Sequence, residues 1–457
     1  MKLDYKRTIL VGFAFLSISA FWQMYDSVVP LILTNNFGLN ETWSGAIMAA
    51  DNILALFLLP FFGALSDKVN TPIGRRMPFI LGGTCCAVIL MNVLPRLANG
   101  FYTGGSTALL IGFIVVLGLL LISMGTYRSP AVALMPDVTP KPLRSKGNAI
   151  INLMGALGGI MYLGITAVLY SNANIEANYT LGHIVGEDGV QTAVVNYTTL
   201  FAVVSVIMVA AVAILYATIR EPKLAAQNRA YEAAHPEENL AEVSAEGSEE
   251  LPKAVKKSLL FLLLSISLWY IGYNGVTTWF STYISRVMGE GIGGASTCLL
   301  VATAGAIVSY IPAGNIASRI GRRKTILGGV VLLASCFLVA ALVMNNATAI
   351  TPPMYILFAL VGMAWAAINV NSLPMVVEMC KGSEVGKFTG YYYTFSMAAQ
   401  VITPIVAGTL LRTVSYKALF PYAAFFVACA FVTMMMVRHG DNKITAKKGL
   451  DAFDMDD

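Results

Sequence analysis

Twelve apolar runs, each about as long as a bilayer is thick, recur along the chain, and no other feature restricts its fold so severely. A helix rises about 1.5 Å per residue, so about 20 residues cross about 30 Å of hydrocarbon. The runs fall at 8–34, 42–66, 77–97, 106–136, 147–171, 195–219, 257–285, 294–318, 323–345, 353–379, 385–411 and 417–438. Backbone N–H and C=O groups find no partners in lipid, so such segments must be helices or a closed barrel. The alternation of barrel strands, about ten residues at a time, is not seen. Composition agrees: 57% of residues are hydrophobic and 12% charged, against about 25% charged in soluble domains. The prediction is an all-α membrane protein with twelve transmembrane helices. Residues 2–7 are basic and precede an apolar stretch, as in a signal peptide. That stretch continues through Asp26 to Leu33 without a small-residue cleavage site, so it reads as the first span.

Charge fixes an expected orientation. With the N-terminus in the cytosol, cytosolic segments hold 25 of the 30 lysines and arginines. Arg96, Arg286, Arg412 and Lys417 fall outside and Arg128 falls within a span. By the positive-inside rule both termini are cytosolic and the protein is a multi-pass protein of the cell membrane. The basic clusters are thereby topology signals, and a nucleic-acid partner has no support. The six cysteines, Cys85, Cys86, Cys298, Cys336, Cys380 and Cys429, all lie in expected spans or, for Cys380, directly at a span end, where they read as small packing residues rather than a disulfide framework.

The chain divides into residues 1–219, a polar linker at 220–256 with eight glutamates and no aspartate, residues 257–438, and a tail at 439–457 ending DAFDMDD. The two six-span parts echo each other. GALSDKVNTPIGRRMPFILGG at 63–83 matches GNIASRIGRRKTILGG at 314–329, each running from a helix-end Gly through Gly-Arg-Arg to Gly-Gly. Tyr25-Asp26-Ser27-Val28 is echoed by Tyr273-Asn274-Gly275-Val276, and Ser129-Pro130-Ala131-Val132 by Leu373-Pro374-Met375-Val376. Tandem six-helix halves with a site between them describe an alternating-access transporter.

The duplicated Gly-Arg-Arg loop resembles the signature of the major facilitator superfamily. SDKVNTPIGRRMPFI at 66–80, SPAVALMPDVT at 129–139 and the stretch from Gly386 through Gly390 to Gln400 are similar to the glycoside-pentoside-hexuronide cation symporters, in particular the sucrose/proton symporter branch. The resemblance covers essentially the whole chain. It implies the major facilitator fold of two pseudo-symmetric six-helix bundles and a cytosolic gate built from Gly63, Asp67, Gly74, Arg75 and Arg76. There a carboxylate accepts from an arginine or caps a helix only when that side is shut. A plain membrane-surface anchor accounts for the arginines but not for Asp67 beside them. In the second copy Ser318 takes the acid's place, so a weaker latch is expected.

Asp26, Asp51 and Arg128 each sit nine or ten residues from a span end, roughly 13–15 Å deep and so near the midplane. Ionised side chains there cost on the order of 2.5–3.5 kcal/mol each, so they face a cavity, pair, or carry function. In one reading Asp26 and Arg128 form a fixed salt bridge between spans 1 and 4. In the other, Arg128 exchanges partners among a carboxylate, the substrate and a proton. The histidines His183, His235 and His439 all lie outside the spans, which leaves Asp26, Asp51 and Arg128 as the proton-coupling candidates. The sequence departs from the family here. Ala55 and Leu59 stand where melibiose-type symporters carry paired acids, and Val132 stands where the span-4 arginine is expected. Without the paired acids the coupling ion reads as a proton, with sodium as the alternative and no other cofactor.

The echo of Asp26 is neutral Asn274, and that of Arg128 is Ser372. The first half then carries coupling charge, and the second supplies amides and rings for sugar hydroxyls and C–H faces. Besides Asp26 and Arg128, the substrate-binding candidates are Tyr273, Asn274, Trp279, Trp365, Asn369, Asn371, Tyr393 and Gln400, with ordinary packing the competing reading for every ring. Tyr393 occupies the place of the family's span-11 asparagine. The expected function is proton-coupled symport of a sugar or glycoside by a monomer in the bilayer. Alternatives are a carrier or exporter of an amine, peptide or sugar acid, or, more remotely, a membrane sensor or enzyme. No nucleophile, metal site or signalling domain is spaced for those last two.

Overall fold

The computed structural model describes residues 3–140, 143–186, 189–234, 252–379 and 385–441. Cys380, His235 and the acidic tail lie outside the described residues. Among the described residues twelve helices are long and apolar enough to span a membrane: Tyr5–Asn36, Glu41–Lys68, Met77–Gly104, Thr107–Val138, Lys146–Leu169, Thr198–Thr218, Lys253–Met288, Ile292–Ile320, Arg322–Met344, Pro352–Val377, Lys387–Thr413 and Tyr416–Met435. We number them spans 1 to 12. Caps place the ends: Asp4 accepts from the Arg7 N–H at 3.0 Å and starts span 1, and Asn40 accepts from the Trp43 N–H at 3.0 Å and starts span 2.

Packing repeats between the halves. In the first, span 1 packs on spans 5 and 6, span 3 on spans 4 and 6, and span 2 on span 4. In the second, span 7 packs on spans 11 and 12, span 9 on spans 10 and 12, and span 8 on span 10. Every pairing of one half recurs six helices later. Across the seam span 2 meets span 11, span 5 meets span 8, and span 1 meets span 7, which is the same symmetry applied to the contact between halves.

The seam is closed at one end. There the connection after span 5 forms an antiparallel hairpin of β1 (Thr180–Val185) and β2 (Gln191–Val195). Close by, the Thr192 hydroxyl donates to the Ser285 carbonyl at 2.7 Å, the Arg286 guanidinium to the Thr34 carbonyl at 3.0 Å, and Asn35 Nδ2 to Ser285 Oγ at 3.2 Å. The Tyr416 hydroxyl reaches Glu41 at 2.6 Å and the Gly293 N–H reaches the Tyr170 carbonyl at 3.0 Å. Backbones touch at glycine: a Cβ at Gly45 would overlap the Pro404 carbonyl, and one at Gly408 the Glu41 carbonyl. The opposite end carries both Gly-Arg-Arg loops. There Phe57 on span 2 is 70% exposed and Phe61 59%, and Tyr391 and Tyr393 on span 11 are also exposed. We call these the hairpin end and the loop end.

At the loop end of the first half the Gly-Arg-Arg loop is an ionic knot. Arg75 binds Asp137 at 2.6 Å, and Arg76 binds Asp137 at 2.8 Å and also pairs with Asp67 and Ser66. Glu221, opening a linker helix at Glu221–Ala234, accepts from the backbone N–H groups of Arg75, Arg76 and Met77 at 2.8, 2.9 and 2.9 Å. It thereby caps span 3. Gly74, at φ 121°, is required because any Cβ would enter the Glu221 carboxylate. Gly63 contributes its carbonyl to Arg76 at 3.4 Å. Asp67 and Arg76 belong to one half, one short loop apart, so their pair is a contact within that half. In the second copy Ser318 only bonds the Asn315 carbonyl of its own helix at 2.8 Å. Arg322 instead pairs with Glu378, and Asp441 caps span 9 at the Arg322 N–H, 2.6 Å away.

Two measurements check this account. Replacing Glu221 by Ala strands three backbone donors, at a cost of roughly 1–3 kcal/mol, so a clear fall in Tm is expected. Asp441→Ala, at a more exposed cap, is expected to cost less than about 1 kcal/mol. Gly408→Leu is expected to wedge the hairpin end open, read as a longer distance between spin labels at exposed Ser106 and Thr348.

Candidate functional site

A cavity of about 490 Å³ lies between the halves, within the range that holds small molecules. Helical spacing decides what lines it. Ser19, Trp22, Gln23 and Asp26 recur at i, i+3, i+4 and i+7 on span 1, and Met48, Asp51 and Asn52 at i, i+3 and i+4 on span 2. Span 4 contributes Arg128 and Val132 one turn apart, and span 5 contributes Asn152. From the second half come Asn274, Thr277 and Thr278 on span 7, with Gln400 and Pro404 on span 11. Among the lining residues Met48 is buried and Val132 is 49% exposed.

Asp26, Asp51 and Arg128 therefore share one cavity, and all three are half-buried. Among the described residues no carboxylate lies within 4.0 Å of the Arg128 guanidinium, so the fixed Asp26–Arg128 salt bridge is not formed. The guanidinium instead sits 5.7 Å from the centroid of the Trp22 ring, a cation–π contact. Asp51 accepts from Asn52 Nδ2 at 2.9 Å. Two buried donors at this wall, Asn274 Nδ2 and Trp22 Nε1, have no hydrogen-bond partner. A buried donor without an acceptor is costly, and a bound solute with acceptor oxygens removes that cost.

Several residues expected at the substrate are elsewhere. Tyr273 and Trp365 stack on each other, 3.8 Å between centroids and 7° between planes, with Tyr270 edge-on to Trp365 at 5.3 Å. Those rings are occupied by one another and do not line the cavity. Trp279 is fully buried and donates to the Pro404 carbonyl at 3.2 Å, fixing span 7 to span 11. Asn371 is buried and donates to the Ala367 carbonyl of its own helix at 2.9 Å. Asn369 is half-buried on span 10, off the cavity wall, and Tyr393 is 42% exposed and edge-on to Tyr392. Asn274 and Gln400 remain on the wall. Trp22, Gln23, Asn52, Asn152, Thr277 and Thr278 were not anticipated, although most lie within one turn of a singled-out residue on the same face.

Comparison with known proteins places this architecture. The chain is 31% identical to the sucrose transport protein SUC3 of Arabidopsis thaliana over 153 residues, 31% of this chain and 25% of that protein. It is 30% identical to the sucrose transport protein SUT3 of Oryza sativa subsp. indica over 153 residues, 31% of this chain and 30% of that protein. The matched stretch thus spans less than a third of those relatives. Among solved structures, a nucleoside transporter, NupG, superimposes with a TM-score of 0.65 at 13% identity, covering 94% of this chain and 100% of that one. A POT family transporter in complex with 5-aminolevulinic acid gives 0.66 at 10% identity, covering 94% and 95%. These two share the fold. The sequence profile of the Major Facilitator Superfamily matches residues 11–311 and 291–452. With twelve spans, repeated halves and a cavity on the seam, the chain belongs to the major facilitator superfamily of transporters.

Proposed function

We propose that the chain is a proton-coupled symporter that moves a sugar or glycoside by alternating access in the cell membrane, with the loop end and both termini in the cytosol. One observation carries this reading: two carboxylates and an arginine held in no ion pair share a cavity whose other polar groups are neutral amides and hydroxyls. With Asp26 and Asp51 both ionised, that wall bears a net charge of −1, and one proton brings it to zero. Enclosing an uncompensated charge away from water is expensive, so the cavity shuts more readily once a proton has been taken. Sugar hydroxyls meanwhile accept from Asn274 and Trp22 and exchange hydrogen bonds with Asn152 and Gln400. Substrate and proton then lower the cost of closure together, which is coupling. The sucrose transport proteins among its relatives support the substrate class.

A second reading, carriage of an anionic polar solute such as a sugar acid, is favoured by the unpaired Arg128, which would meet a substrate carboxylate directly. The two readings separate in proteoliposomes. Under symport of a neutral sugar, adding sucrose or a related glycoside is expected to make the external medium more alkaline as protons enter with the solute. Alkalinisation by sugar acids alone would favour the anion.

Asp26→Asn is expected to abolish uphill accumulation while leaving substrate exchange down equal gradients, and wild-type accumulation in that variant would remove Asp26 from coupling. Asn274→Ala is expected to raise KM for the transported sugar by roughly five- to tenfold, the worth of one hydrogen bond, as read from initial uptake rates.

A further inference from the structure

A second concavity, unrelated to the transport cavity, lies at the loop end where the start of span 1 meets the start of the linker helix. Its volume is about 350 Å³. Four cations border it, Lys6 and Arg7 from span 1 and Arg220 and Lys223 from the end of span 6 and the linker, with Leu10 and Leu224 as apolar walls. Among the described residues none of the four is in an ion pair. The single acid of the groove, Asp4, is engaged by the Arg7 backbone N–H as the helix cap. Four positive charges against the single Asp4 carboxylate leave the groove with an excess of positive charge, and the resulting repulsion is a cost that a bound anion reverses.

The surroundings identify where that anion comes from. The neighbouring surfaces of spans 1 and 6 expose Tyr5, Ile9, Ile214 and Tyr216. Exposed tyrosines beside exposed aliphatic side chains mark the level where headgroups give way to acyl chains. A ligand in the groove therefore has its polar part among the cations and an apolar surface continuing along the helices. We propose that this groove binds the phosphate of an anionic phospholipid headgroup, with the acyl chains lying against spans 1 and 6. Because the linker helix is anchored to span 3 by Glu221, such a lipid joins span 1 to the element that caps span 3.

Native mass spectrometry of the full chain, titrated with phosphatidylglycerol or phosphatidylethanolamine, tests the site. Each cation near an anionic surface contributes roughly fivefold to binding. Lys6→Gln combined with Lys223→Gln is therefore expected to weaken phosphatidylglycerol retention about 25-fold. Lys253→Gln with Lys257→Gln, two cations at the same membrane level elsewhere, is expected to leave it unchanged. Lys6 and Lys223 are exposed and their side chains make no described hydrogen bond, so the double variant retains its packing. A photoactivatable phosphatidylglycerol crosslinking to Lys6 or Lys223 in the unaltered chain gives the same answer independently of any variant. Equal retention by the double variant, equal binding of the zwitterionic lipid, crosslinks only elsewhere, or displacement of the lipid by millimolar inorganic phosphate would each overturn the proposal, the last by making the groove a site for soluble phosphate.

Discussion

Ionised side chains in the middle of a membrane persist only where water or a partner reaches them, and that constraint organises the molecule. Asp26, Asp51 and Arg128 come from three helices of one half, yet all turn toward one cavity on the seam. The helices bearing them must present those faces inward, which fixes the rotation of spans 1, 2 and 4 more tightly than their nearly uniform hydrophobicity could. Once those faces point to the seam, the polar residues one turn away line the same space.

The seam itself is asymmetric. At the hairpin end glycine lets spans 2 and 11 approach to backbone contact, and side-chain hydrogen bonds join the halves. At the loop end the strong interactions stay within each half: Arg75 and Arg76 with Asp137, Arg322 with Glu378. Each half is thus internally braced at that end, so the halves can separate there without breaking these ion pairs. Such bracing favours movement as two rigid bodies over deformation of single helices.

The spans were legible because length and hydropathy determine a membrane helix almost alone. The first span, read from residue 8, starts at Tyr5 because Asp4 caps it. The buried charges were legible because they are rare and expensive in such segments. The rings were not: Tyr273 and Trp365 satisfy each other as a stack, and Trp279 spends its N–H on a backbone carbonyl. A list of aromatic residues carries no sign of which pairs will close on themselves. Trp22, Asn52, Thr277 and Thr278 were within reach of helical arithmetic from Asp26, Asp51 and Asn274. Glu221 and Asp441 were not, since an acid in a polar connection has no periodic signature, and only the folded chain brings it to the helix start it caps.

The docking of Glu221 onto span 3 has a mechanical consequence. With that carboxylate seated and Asn228 reaching the Asp137 carbonyl at 3.2 Å, the opening turns of the tether ride with the first half as part of its body. A swing of that half therefore carries Glu221 and the start of span 3 together, so the cap travels with the helix it closes and is not unmade by the motion.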